Sequence, residues 1–294
     1  MKPKRPDGFA LVAVLSCLAL VTAITMAALA VARSSASSAV AIEHRARNMA
    51  LAEAGLRYGM WTLINTPPRD WSGIPSRRVS VSGRTVNLSF QAEVGKISLN
   101  AADEDLLSAA FAASGVPANT ARRLGAAIVD WRDDDNLRRP AGAEAPDYRS
   151  DGYDHAPRNG PFQTVGELMQ VRGMTRRIFH CTYPLFTVYS NHPHVDQQAA
   201  TPAVRSVLSW AAANEWMASG PTSRAGGPSV VGGTRGRAGA AIAIVAAVQG
   251  ASRSPVRMRA IVRLTRDGNR PASVLSWQEV FERERSGASC DSKQ

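Results

Sequence analysis

One stretch limits what this chain can fold into: Phe9 to Ala32 runs for 24 residues without a charge. As a helix rising about 1.5 Å per residue it is roughly 36 Å long, enough to cross a hydrocarbon core of about 30 Å. A secretory signal peptide carries an apolar segment of only about 7–15 residues. Ala28-Leu29-Ala30 supplies a small-residue cleavage pattern, which keeps the signal-peptide alternative open. Lys2, Lys4 and Arg5 precede the span. The positive-inside bias then leaves the N-terminus in the cytoplasm and sends the remaining chain outward.

Beyond the span there is no proline from Arg33 to Ile64, and Pro67-Pro68 stops the helix. Met49, Ala52, Leu56, Met60 and Leu63 follow a three-and-four spacing, an apolar stripe on one helical face. This stripe is expected to pack on partner helices. The spacing thus predicts one N-terminal helix over 9–66, with 9–32 in the membrane. Val79–Phe90 is β-prone around a Ser82-Gly83 turn, and a second strand is expected near Ala92–Ile97. Residues 99–225 read mainly as helical, with a helix from Pro202 to Met217, then a Gly- and Arg-rich loop over Gly220–Gly239. Ala240–Val248, Val256–Thr265 and Ser273–Phe281 are β-prone, with Asp267-Gly268 as a turn. The fold class is α+β: a long transmembrane helix and a small antiparallel sheet (67–98 and 226–294), with a large helical domain inserted at 99–225.

The formal charge of +11, from 35 basic and 24 acidic residues, suggests nucleic acid until its distribution is examined. Between residues 101 and 160 eleven acids face seven arginines, a local net of −4. Phe162–Met174 has the look of the first helix and glycine turn of a helix-hairpin-helix module, the basis for an alternative: a membrane-tethered DNA-binding protein of a competence or type IV pilus system. The second glycine of such a hairpin is missing after Gly173-Met174, and an acidic surface repels phosphate. An enzyme is also disfavoured. His155, His180, His192 and His194 form no metal-binding pair of recognised spacing, and no nucleophile or phosphate-binding motif occurs. The run Asp133, Asp134, Asp135, followed by Glu144 and Asp147, has two readings from charge alone. It is a solvated loop paired with neighbouring arginines, or a set of oxygen ligands for a cation such as calcium. Of the three cysteines, Cys17 is in the span, while Cys181 and Cys290 could pair in an oxidising compartment.

Several words carry a family resemblance. The basic leader 1–8 ends at Gly8, followed by Phe9 and the apolar helix, which resembles the processing junction of type IV pilins and pseudopilins. Arg45–Tyr58 (RARNMALAEAGLRY) is similar to the next stretch of such helices. The helical region adds Ile97–Ala102 (ISLNAA), Asp130–Asn136 (DWRDDDN), Arg138–Glu144 (RRPAGAE), Asp147-Tyr148, Pro157–Phe162 (PRNGPF) and Val171–Met174 (VRGM). Their order resembles that of the K-type minor pseudopilins of type II secretion systems, the GspK family. The resemblance implies cleavage after Gly8 by a prepilin peptidase and N-methylation of Phe9. It implies an inner-membrane anchor with a periplasmic domain and no catalysis. It further implies a place at the pseudopilus tip in protein export, with minor pseudopilins I and J, the major pseudopilin and an inner-membrane assembly platform as partners. It also associates calcium with the helical domain, through Asp133, Asp134, Asp135, Glu144 and Asp147. One position departs: the acidic residue usual a few places into the processed helix is Ala13 here, which suits a subunit with none ahead of it.

Overall fold

The computed structural model describes residues 7–67, 74–214, 216, 239–249, 255–265 and 271–280. Helix α1 spans Asp7–Ile64, about 87 Å at 1.5 Å per residue. Among the described residues it is the one helix long and apolar enough to cross a membrane. Gly8 and Phe9 lie in its first turn, and every residue from Leu11 to Arg47 is exposed. From Asn48 onward the helix meets the rest of the protein.

What it meets is a five-stranded antiparallel sheet in the order β1-β2-β5-β6-β7. Strand β1 is Arg77–Val81, β2 Arg84–Ala92, β5 Ala241–Val248, β6 Val256–Leu264 and β7 Ala272–Glu279. The expected turn joins β1 to β2: Ser82 (φ 49°) and Gly83 (φ 75°) are both left-handed, the geometry that a two-residue hairpin requires. The turn foreseen at Asp267-Gly268 lies outside the described residues, as does nearly all of the Gly- and Arg-rich stretch.

The apolar stripe of α1 has a different destination from the one expected. Ala52, Leu56 and Leu63 are fully buried, and Met49 and Met60 half-buried, in one core with Val86, Leu88, Ile242, Ile244, Ala260 and Val262. The protein's own sheet takes this face, so it is not available to partner helices. A sheet with one apolar face needs a cover, and the amphipathic helix next to it in sequence supplies one. Gly55 and Gly59 let the helix approach closely; a Cβ on Gly55 would press into Val86.

The strand expected at Ala92–Ile97 is broken up. A 3₁₀ turn occupies Glu93–Gly95, and the two-residue β3 (Ile97–Ser98) pairs in parallel with β4 (Phe186–Thr187). Between them lies the helical block. Its helices are α2 (Glu104–Ala113), α3 (Ala118–Arg132), α4 (Ala145–Ser150) and α5 (Arg176–Thr182), and α6 (Pro202–Ala213) follows β4. They enclose a second core that includes Leu107, Phe111, Leu124, Ile128, Leu168 and Val204. The helix foreseen over 202–217 ends at Ala213.

The block's position follows from strand direction. Gly55 lies on Val86 and Leu88, and Gly59 on Ile244 and Phe90, so α1 and β2 ascend together, away from the exposed span. The chain leaves the sheet after Ala92 and re-enters at Ala241, beside it in register with Ile242. Both crossings are at the end far from the span. There Glu93 is buried, its carboxylate 3.1 Å from Lys96 Nζ and 3.2 Å from Arg259 Nη2. The Asp196 N–H donates to the Val94 carbonyl, and Gln91 Nε2 to that of Ala199. A side chain on Gly95 would strike the Ala199 carbonyl. This junction fixes how the block sits on the sheet.

Candidate functional site

The acidic loop is built from the end of α3 outward. Helix α3 buries Leu124, Ile128 and Trp131 on its core face, carries Asp130 in its last turn and has Asp133 as its C-terminal cap, three residues on. The chain then leaves the helix at Asp133, whose ψ of 164° is extended. Asn159, held at φ 49°, donates to the Asp135 carbonyl at 2.9 Å and so fixes the loop's outer edge. The return limb brings in Glu144, the residue that starts α4.

Asp133, Asp135 and Glu144 each present a carboxylate oxygen within 4.8 Å of the other two. Glu144 is buried at 3% exposure, and neither of its oxygens has a hydrogen-bond partner; Asp133 Oδ1 is likewise unpaired. Buried carboxylate oxygens are seldom left without partners, because each loses its hydration. Burial first, and the charges of Asp130, Asp133 and Asp135 next, push Glu144 up to about 7. Burial also pushes Asp130 up to about 6. Three converging oxygens with orphaned lone pairs fit a hard divalent cation, whose remaining positions backbone carbonyls and water can fill.

Of the five residues singled out, the structure therefore brings together three. Asp134 is exposed and outside the cluster. Asp147 is occupied elsewhere: it accepts from the Glu144 N–H at 3.0 Å and pairs with Arg138 at 3.0 Å. Asp130 was missed as a site residue. It is fully buried beneath the cluster, 3.4 Å from Arg139 Nε, and a Cβ on Gly142 would collide with its Oδ2. Its signal was the spacing of three to Asp133 on a helix. Arg139 also approaches Glu104 at 3.6 Å, and so supplies a positive charge among the carboxylates.

The sequence words behind the resemblance turn out to be one another's partners. Asn100 donates to the Phe162 carbonyl at 2.9 Å and accepts from the Phe162 N–H at 2.7 Å. Arg132 donates to the carbonyls of Leu99 and Ala102. Tyr148 accepts from the Arg172 N–H at 2.9 Å and packs against Trp131, which stacks on Phe162. The segment read as the first helix of a DNA-binding hairpin is a 3₁₀ turn over Val165–Gln170, followed by the left-handed Gly173 and α5.

A second surface lies on α1, on the side away from the sheet. Tyr58, Trp61 and Ile64 are 40%, 58% and 44% exposed, with the two rings 5.7 Å apart. Cys17 is a free thiol and Cys181 is disulfide-bonded; Cys290 lies outside the described residues.

Residues 86–191 match the family described as type II secretion system, protein K. Comparison with curated proteins finds no match. Among solved structures, a chain of the GspK-GspI-GspJ complex of the enterotoxigenic Escherichia coli type 2 secretion system is similar. Its TM-score is 0.54 at 16% identity, over 85% of this chain and 99% of that one. Residues 86–191 are thus similar to the protein K domain of type II secretion systems, and the fold along the described chain is like that of the solved complex's chain.

Proposed function

We propose that this chain is a minor pseudopilin that stands at the tip of a type II secretion pseudopilus and serves protein export across the outer membrane. The observation that carries the reading is the protein K domain at the end of the sheet far from the membrane span. A subunit stacking above would have to occupy the space that this block fills. Residues 9–32 anchor the chain in the inner membrane, with the body on the periplasmic side, after cleavage at Gly8 and methylation of Phe9 by the prepilin peptidase. Ala13 supports the tip placement, since no subunit ahead offers an amine to pair with. The protein works as a structural subunit rather than an enzyme.

Minor pseudopilins of the I and J kind are the nearest partners, with the major pseudopilin and the assembly platform beyond them. The surface for a partner helix is the outward face of α1 at Tyr58, Trp61 and Ile64, because the sheet already covers the stripe from Met49 to Leu63. Aromatic anchors of this kind commonly carry most of an interface's energy. Calcium would be held by Asp133, Asp135 and Glu144, where it would offset their mutual repulsion and tie the loop's two limbs together. The unpaired oxygens of Glu144 support that assignment. The deciding experiment deletes the chain from its host and restores it by plasmid. Secretion should stop while inner-membrane export continues, and N-terminal sequencing of the restored protein should begin at methyl-Phe9. Normal secretion without the chain would overturn the proposal.

A further inference from the structure

Of the asparagines in the sequence, Asn159 alone is followed by glycine. Glycine has no Cβ, so nothing shields the Gly160 amide nitrogen from the side-chain carbonyl carbon of Asn159. We propose that Asn159-Gly160 is a deamidation site, held in check by the acidic loop and released when that loop opens.

In the folded block the Asn159 amide is engaged through its nitrogen. Nδ2 donates to the Asp135 carbonyl at 2.9 Å and to Asn136 Oδ1 at 3.1 Å. The flanks are clamped as well. Arg158 pairs with Glu167 at 3.3 Å, and Phe162 exchanges two hydrogen bonds with Asn100. Ring closure needs the Asn159 side chain to swing onto the Gly160 nitrogen, so both amide bonds must break first. The restraint that gives way is the acidic limb. Asp133, Asp135 and Glu144 hold carboxylate oxygens within 4.8 Å of one another, and like charges push the Asp135 limb outward. Residues 134–138 are exposed, so no buried side chain anchors that limb. The reaction then tracks local opening of the loop rather than unfolding of the block.

The chemistry needs only water. The Gly160 nitrogen attacks Asn159 Cγ, and the new C–N bond closes a succinimide. The Cγ–Nδ2 bond breaks, and Nδ2 leaves as ammonia with the proton that Gly160 gives up. Water then opens the ring at either carbonyl, giving aspartate or isoaspartate. The product cannot restore the contact that was lost. Its carboxylate meets the Asp135 carbonyl where the amide offered a donor, and it adds a negative charge beside the cluster. Isoaspartate also lengthens the main chain at the turn. The conversion is one-way, so each modified copy keeps an open loop and position 159 records the time a copy has spent open.

The test incubates the purified full chain in detergent and EGTA, with and without urea. Position 159 is then mapped by mass spectrometry and by isoaspartyl methyltransferase labelling. Aspartate and isoaspartate should accumulate there ahead of every other asparagine, and several-fold faster in urea. Gly160→Ala should slow the conversion several-fold. Its Cβ would meet nothing nearer than the Arg158 carbonyl at 3.9 Å, so the turn keeps its shape. Glu144→Gln lowers the repulsion on the Asp135 limb and should slow the conversion in the folded chain but not in urea. Asn159→Asp, the product made directly, should speed proteolysis of residues 133–144. An Asn159 that stays intact in the folded chain while converting in urea overturns the proposal. Equal rates in the two conditions overturn it too, by showing that the loop restrains nothing. Unchanged proteolysis of Asn159→Asp refutes the one-way opening of the loop.

Discussion

The metal-free acidic centre should be a liability at neutral pH, and calcium should remove it. Glu144 is 3% exposed, and burial together with Asp130, Asp133 and Asp135 moves its pKa from 4.5 up to about 7. A carboxyl whose folded pKa is raised holds a proton that the unfolded chain has already released. Its contribution to stability is therefore complete below about pH 4.5 and is lost as pH rises to about 7. At about 1.36 kcal/mol per pH unit, the loss is about 3 kcal/mol. Asp130, raised to about 6, adds to it with the same sign. A cation on Asp133, Asp135 and Glu144 reverses the effect by favouring the ionised forms. For an extracellular site with a Kd of about 10⁻⁴–10⁻³ M, 10 mM calcium stabilises by about 1.4–2.7 kcal/mol. That corresponds to roughly 3–10 °C in a chain of this size.

The assay is thermal unfolding of the detergent-solubilised chain in EGTA, calcium or magnesium, from pH 5 to 8. In EGTA the midpoint should fall as pH rises, and the calcium increment should grow over the same window. Glu144→Gln removes the buried charge. Its midpoint in EGTA at pH 7.5 should exceed that of the unsubstituted protein, and its calcium increment should fall below about 1 °C, on the scale just derived. An undiminished increment in Glu144→Gln, or a flat EGTA profile, would refute the electrostatic reasoning.

Other perturbations separate architecture from assembly. Glu93→Gln removes the buried carboxylate that pairs with Lys96 and Arg259 and should cost about 3–5 kcal/mol in chemical denaturation. Burial works against the Glu93 carboxylate, yet Lys96 and Arg259 hold its pKa below the usual range, so its contribution is present above about pH 4.5 and fades as pH falls below that. Leu56→Ala should cost about 2–5 kcal/mol by opening a cavity between α1 and the sheet, measured by the same denaturation. Trp61→Ala should change stability by no more than about 0.5 kcal/mol while reducing recovery of I- and J-type pseudopilins in cross-linked pull-downs. Asn100→Ala breaks both bonds to Phe162 and should cost about 1–3 kcal/mol, with faster proteolysis of the 157–172 segment as the local readout.

The legible parts of the sequence were those fixed by local physics. An uncharged 24-residue run can hardly be other than a long helix, and Ser82-Gly83 between β-prone flanks called for a left-handed turn. The stripe from Met49 to Leu63 was also legible as a buried face, but periodicity reports that a face is covered without naming the cover. Here the cover comes from strands as distant in sequence as Val262. The acidic loop was half legible for a similar reason. Adjacent side chains point in different directions, so Asp133 and Asp135 converge while Asp134 faces solvent. Asp147 was lost to the site because it caps the helix that Glu144 begins, a backbone bond that composition cannot reveal. Asp130 was passed over because it ends a helix rather than opening a loop, although that placement is what buries it under the cluster.

The motifs behind the resemblance are therefore of two kinds, and they call for different experiments. Asn100 bonds Phe162, Arg132 bonds the carbonyls of Leu99 and Ala102, and Tyr148 bonds Arg172, and together these contacts frame the acidic loop. Their loss should abolish calcium stabilisation together with folding of the block. Asp133, Asp135 and Glu144 are held out by that framework, and the framework does not need their charge; Glu144 in particular is strained by it. Neutralising them should leave the block folded and remove only the calcium response. If calcium matters to secretion by tying down the block at the membrane-distal end, Glu144→Gln should lower secretion in calcium-containing medium to the level of calcium-depleted cells and no further. A deeper loss from Glu144→Gln would mean that the carboxylate contacts a partner directly.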